Sequence, residues 1–239
     1  MAKFNREWKV GRHGPLEWLD DGLATVAGEI AMPLGRFPRR MVIAALASGG
    51  TAIWSAIPLG EDEMREIEAC GRPEVLIVPG TAHRLDVRPW LDRYPGARVV
   101  CAPGAIMAVE EAAPVSATDI DDPEVAFETV PGVGRREGAL LVRRSGRLTL
   151  VLNDVLANVR HPHGLGAQIM ARAMGFGVDR AKVPWLGRRM FVEDQAALAA
   201  AFRRWAADPA LTRIVVSHGD VIADDPGGVL ARAALDLKS

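Results

Sequence analysis

Apolar residues recur along this chain in short unbroken runs: Val75-Leu76-Ile77-Val78, Val99-Val100-Cys101, Leu148-Thr149-Leu150-Val151-Leu152 and Ile214-Val215-Val216. Runs of this length, rich in β-branched residues and bounded by polar or Gly/Pro turns, predict strands buried on both faces. Between them the spacing becomes helical. Met64 and Ile67 sit among charges after Glu61 and are stopped by Gly71-Arg72-Pro73, and a second helix over 87–94 ends at Pro95-Gly96. Ala197, Leu198, Ala201, Phe202 and Trp205 mark a third, over 193–207, terminated by Asp208-Pro209. The strand, helix, strand unit over 74–101 predicts parallel pairing. Pro103-Gly104 opens a helix predicted to run to about Glu111.

Other segments predict antiparallel pairing. A first strand is read over 23–31, and the β-rich runs 41–47 and 51–57 flank Ser48-Gly49-Gly50, a short loop that closes a hairpin. In the second half, strands over 125–130, 139–144 and 148–152 follow one another, with Ser145-Gly146 as a tight turn between the last two. A strand over 213–216 and a helix over 226–237, capped by Asp225 or Asp224, complete the chain. Each half thus holds antiparallel strands, helices and parallel strands. The architecture that satisfies both is an α/β (α+β) fold, a four-layer αββα sandwich of two mixed β-sheets flanked by helices, as one domain over 1–239. Residues 160–191 break the pattern with frequent glycine and irregular periodicity, and read as an insertion that serves as a lid or as an interface.

Composition narrows the partners. With 49% apolar residues and a mean hydropathy of +0.08, 239 residues can bury a substantial core. Twenty-nine basic against 30 acidic residues leave a charge of -1, so no global field favours nucleic acid or an anionic membrane. Cys70 and Cys101 lie 31 positions apart, outside any metal or redox spacing, and read as core thiols of a reduced, cytoplasmic protein. The start of the chain lacks the apolar stretch of a signal peptide, and no segment approaches the ~18 apolar residues of a membrane span.

Three of the predicted strands end in groups able to hold a metal ion. They lead into Pro79-Gly80-Thr81-Ala82-His83-Arg84-Leu85-Asp86, Asn153-Asp154 and Ser217-His218-Gly219-Asp220. A rigid sheet aims such loop residues at a common crevice. His83, Asp86, Asp154 and His218 together supply two imidazoles and two carboxylates, a chemically sufficient set for one zinc, iron or manganese ion. Taken singly each has a structural reading, since His83 or Asp86 can serve the following helix and Asp154 can satisfy turn amides. His161-Pro162-His163 could add imidazoles from the insertion, whereas His13 reads as N-terminal surface. No G-x-S-x-G elbow, phosphate-binding loop or dinucleotide fingerprint is present.

The order of these turns, over roughly residues 23–225, resembles the metallo-β-lactamase-fold hydrolases, and within them a divergent branch of unknown function. Against that family's His-x-His-x-Asp-His motif, the first His falls on Thr81, the second on His83, the Asp on Leu85 and the last His on Asp86. Matching His83-Arg84 to the final Asp-His pair instead would drop Asp86. The family's His after Pro-Gly falls on Val133, its bridging Asp on Asp154 and its last His on His218. The resemblance therefore implies at most one divalent metal ion, zinc before iron or manganese, or none. The ion would sit at the family's second metal position with Asp86, Asp154 and His218. Asp154 and His218 are the expected catalytic residues of a mononuclear metal-dependent hydrolase, with Arg84 and Arg160 available to an anionic substrate. The alternative is a non-catalytic member that binds a small molecule or a protein. A third expectation is a homodimer through the apolar insertion around Met170, Met174, Phe176, Trp185 and Met190.

Overall fold

The computed structural model describes residues 4–32, 35–161 and 165–237. Six strands form the first sheet in the order β1-β2-β3-β4-β5-β6: β1 His13–Asp20, β2 Leu23–Met32, β3 Gly35–Ala45, β4 Thr51–Trp54, β5 Pro73–Val78 and β6 Arg98–Cys101. Pairing is antiparallel from β1 to β4 and parallel from β4 to β6. The second sheet has the order β10-β9-β8-β7, from β7 Val125–Thr129, β8 Gly138–Arg144, β9 Arg147–Leu152 and β10 Leu211–Val216. Here only β9 and β10 are parallel. Both sheets are mixed, as expected.

Three apolar layers separate the four structural ones. Trp54, Ile77, Val100, Phe127, Val151 and Val215 pack between the sheets. The outer face of the first sheet, with Ile43, Leu76 and Val99, packs against α1 (Glu61–Cys70) and α2 (Val87–Arg93) through Met64, Ile67 and Trp90. The outer face of the second, with Leu150 and Ile214, packs against α6 (Gln195–Ala206) and α7 (Pro226–Asp236) through Phe202, Trp205 and Leu230. Strands at the middle of such a stack lose both faces to the core, which is why their sequences are continuous apolar runs. Trp54, Trp90 and Trp205, one in each layer, are fully buried, and truncating any of them to alanine would cost ~3–5 kcal/mol.

Helix ends follow their capping chemistry. The Asp194 carboxylate accepts the Ala197 amide at 2.9 Å, and Asp225, in the left-handed conformation, accepts that of Gly228. Asp194→Ala should lower the urea-unfolding free energy by about 1 kcal/mol, the usual worth of an N-cap. No described helix is long and apolar enough to cross a membrane.

Three element expectations need correction. β1 lies ahead of the first strand read from sequence and pairs with β2 across Asp21-Gly22, where Gly22 takes a φ of +63°. The helix expected to reach Glu111 is a 3₁₀ turn over Pro103–Ala105 followed by the short α3 (Ile106–Val109), after which the Ala112 amide turns back to the Val109 carbonyl at 2.8 Å in the tighter i→i−3 pattern. β4 stops at Trp54 rather than Ile57, because Ser55 adopts a φ of +52°. Within the insertion, α4 (Leu165–Met174) and α5 (Trp185–Phe191) are helical. Phe176 packs edge-on against Phe37 of β3 at 4.6 Å, whereas Trp185 and Met190 are exposed. His163 lies outside the described residues.

Candidate metal centre

Register explains how far-apart segments meet. Val216 of β10 pairs with Leu152 of β9 in parallel, and the Ser217 amide donates to the Leu152 carbonyl at 2.9 Å. Asp154 and His218 each stand two residues beyond that pair, so they emerge side by side at one end of the second sheet. β5 of the first sheet delivers His83 to the same place through the Pro79-Gly80 turn, where the His83 amide closes onto the Gly80 carbonyl at 3.1 Å. Both imidazoles face the same carboxylate oxygen. His218 Nε2 lies 2.9 Å and His83 Nε2 3.5 Å from Asp154 Oδ1, and the three candidate ligand atoms lie within 4.8 Å of one another.

The outer nitrogens are also held. His218 Nδ1 donates to the Pro38 carbonyl at 2.8 Å, and His83 Nδ1 meets Ser55 Oγ at 3.0 Å. A carbonyl only accepts, so the His218 Nδ1 carries a proton. In a neutral ring Nε2 is then a bare acceptor aimed at a carboxylate oxygen, and two acceptors at 2.9 Å require a cation between them, a proton or a metal ion. The donor set, two imidazole nitrogens and one carboxylate, fits a zinc-like ion with three protein ligands. Asp154 is the most open of the three, with 21% of its side chain exposed against 7% and 8% for the histidines.

Electrostatics follow from this contact. Burial alone would push the Asp154 carboxyl up, but the neighbouring imidazoles outweigh it and hold the group well below the usual carboxylate range. Burial also opposes charge on both histidines. At His83 burial prevails and its pKa falls, whereas at His218 the hydrogen bond and charge of Asp154 prevail and its pKa rises.

Behind the triad lies a buried group with no sequence signature. Glu137 accepts from Asn153 Nδ2 at 2.7 Å and from the Asp154 amide, and so joins β8 to the turn that carries Asp154. A Cβ on Gly80 would come within 2.3 Å of Glu137 Oε1, so only glycine allows the two turns to approach. Burial, then the charge of Asp154, raises the Glu137 pKa well above its ordinary value. A carboxyl raised on folding contributes stability at low pH that is lost as pH climbs from the ordinary carboxylate range through the raised value. Glu137→Gln, neutral throughout, should flatten that part of a plot of urea midpoint against pH in metal-free protein. An unchanged slope would refute the assignment.

Other expected site residues are placed elsewhere. Asp86, expected as a ligand, is buried in an ion pair with Arg39 Nη1 at 2.5 Å and also accepts from Asn5 Nδ2 at 2.6 Å. It is not among the ligand atoms that converge on Asp154. Arg84, expected at a substrate anion, is buried and donates to the Thr81 carbonyl and to Glu111. Val133 is core, packed with the α6 layer. His161 is exposed and pairs with Asp220 at 2.9 Å rather than with the triad. His13, expected on the surface, is half-buried at the start of β1. Ser55, Pro38, Arg39 and Glu137 were not singled out from the sequence. Ser55 and Pro38 act only through where the fold puts an oxygen atom.

No protein-family profile matches the chain, and no curated protein matches it in sequence. Its fold does match solved structures. The metallo-β-lactamase FIM-1 from Pseudomonas aeruginosa, in its mono-zinc form, superposes with a TM-score of 0.61 at 13% identity over 96% of this chain and 98% of that one. A metallo-β-lactamase from Hirschia baltica gives 0.59 at 12% identity over 92% and 97%. One from Erythrobacter litoralis, with β-mercaptoethanol in its active site, gives 0.61 at 12% over 92% and 96%. The αββα sandwich of this chain is the metallo-β-lactamase fold.

Proposed function

We propose that this metallo-β-lactamase-fold chain is a mononuclear metal-dependent hydrolase whose single ion is held by His83, Asp154 and His218. One observation carries the reading: two imidazole Nε2 atoms from different sheets converge on one carboxylate oxygen, each with its Nδ1 already engaged. When bound, such an ion supplies a polarised substrate oxygen and an acidified water. This placement differs from the one implied by the family motif, because Asp86 is committed to Arg39 and His83 stands where Asp86 was expected.

The protein's own groups have distinct parts. Ser55 and the Pro38 carbonyl fix the ring orientations, and Asp154, the most exposed of the three, faces incoming substrate. Phe37 and Phe176 lie against His218 at ring separations of 4.9 and 6.0 Å and exclude water from that side. Phe176 belongs to the insertion, which supports reading residues 160–191 as a lid. The test is metal content of protein purified without chelator, in wild type and in Asp154→Ala and His218→Ala. A second reading, a non-catalytic binding protein, is favoured by the three non-ligating residues Thr81, Leu85 and Val133. Metal-free wild-type protein that takes up no added zinc would establish it over the first.

A further inference from the structure

A cavity of about 540 Å³ lies beside the triad on the Nδ1 side of His218, lined by Pro38, whose carbonyl accepts a hydrogen bond from that nitrogen, and by Gly219. None of His83, Asp154 and His218 lines it. Its walls come from Arg12 and the start of β1, from β2 and β3, from Val159 and His161 and from the residues that follow His218, and its size suits a small molecule.

The chain as a whole is almost neutral at -1, yet Arg12, Arg36 and Arg40 line this cavity against two acidic residues, Glu29 and Asp220. Arg40 is an interior residue, its side chain only 9% exposed, whereas the guanidinium of the neighbouring Arg39 is turned to Asp86 on the opposite face of β3. The Gly219 carbonyl and Thr25 Oγ1 fix Arg40, with Glu17 at 4.0 Å. Its orientation is therefore set before any ligand arrives. The Arg12 side chain, by contrast, makes no hydrogen bond or ion pair among the described residues, and only its backbone carbonyl is engaged, by the Glu29 amide at 3.3 Å. Among the described residues the Arg36 side chain is held by Glu29, in an exposed pair at 3.2 Å of the kind that contributes little and is readily exchanged for another anion.

We propose that this cavity is a second binding site, which takes a small ligand through a carboxylate or phosphate group held by Arg12 and Arg36 in front of the fixed guanidinium group of Arg40. Planar guanidinium groups match both oxyanions by paired N–H donors. Glu29 and Asp220 restrict the site to ligands whose charge is confined to one end. The proposal uses none of the metal-binding residues and stands or falls apart from the hydrolase reading.

The experiment is calorimetric titration of the metal-free full chain at low salt, with inorganic phosphate and succinate as probes. Saturable binding of at least one probe is expected, weakened about tenfold or more in an Arg12→Ala/Arg36→Ala double variant and unchanged in Asp154→Ala. The probe that binds identifies the headgroup as phosphate or carboxylate. Arg12 and Arg36 are exposed, so the double variant should keep the wild-type urea midpoint. The proposal is overturned if neither probe saturates, if the double variant binds as well as wild type, or if Asp154→Ala abolishes binding that the arginine variant retains.

Discussion

Asp154→Ala is expected to bring the metal content from about one equivalent per chain to near zero and, with it, to remove hydrolytic activity, because both imidazoles face this one carboxylate. The two histidines then remain as a pair without an anion between them, too few ligands for a three-coordinate protein site. His218→Ala should act in the same direction, since it removes a ligand and frees the Pro38 carbonyl. Elemental analysis of protein purified without chelator, together with cobalt absorption after reconstitution, reads the effect directly. Stoichiometric metal in the Asp154→Ala protein would exclude the proposed site. Loss of metal with an unchanged urea midpoint in the metal-free state would localise the defect to binding and not to folding.

The second large effect concerns stability. Asp86→Ala should lower the unfolding free energy by ~3–5 kcal/mol, because it strands the Arg39 guanidinium, nine-tenths buried, without its counter-charge. It also removes the acceptor of the Asn5 side-chain amide, leaving the bond from the Asn5 backbone amide to the Leu85 carbonyl to hold that segment to the turn after β5. Metal content should stay at the wild-type level once the protein is folded. Arg39→Met in the Asp86→Leu background should recover much of the loss, since replacing both partners of a buried ion pair by apolar groups leaves no orphaned charge. The opposite pattern, lost metal with little destabilisation, would return Asp86 to the ligand set.

The contrast between Asp154 and Asp86 shows where sequence reading stops. Both carboxylates follow a buried strand, and both occupy positions that the family motif allows to ligate. Asp154 meets His218 because β9 and β10 are parallel neighbours in register, a pairing between segments more than 60 residues apart. Asp86 meets Arg39 because α2 packs on the outer face of the first sheet, where Arg39 of β3 also lies. Neither partner can be inferred from spacing along the chain. Glu137 is the same case: its neighbours Arg135 and Arg136 suggest a solvated turn, yet it is buried against Asn153 and the Asp154 amide.

What the sequence determined by itself is the layering. Continuous apolar runs demand strands covered on both faces, amphipathic helices supply the covers, and Gly/Pro turns mark where each run must end. Those rules are local, acting over a few residues through backbone sterics and the exclusion of apolar surface from water, so they can be read in order from the chain. The strand-end placement of His83, Asp154 and His218 belongs to this legible part. The selection among candidate ligands, the strained Ser55 that meets His83, the pairing of Asp86 with Arg39 and the gathering of Arg12, Arg36 and Arg40 beside His218 were decided only by the tertiary structure. Each depends on distances between side chains on different elements. A shift of 1 or 2 Å separates a ligand from a salt-bridge partner, and that distance is set by how two sheets pack.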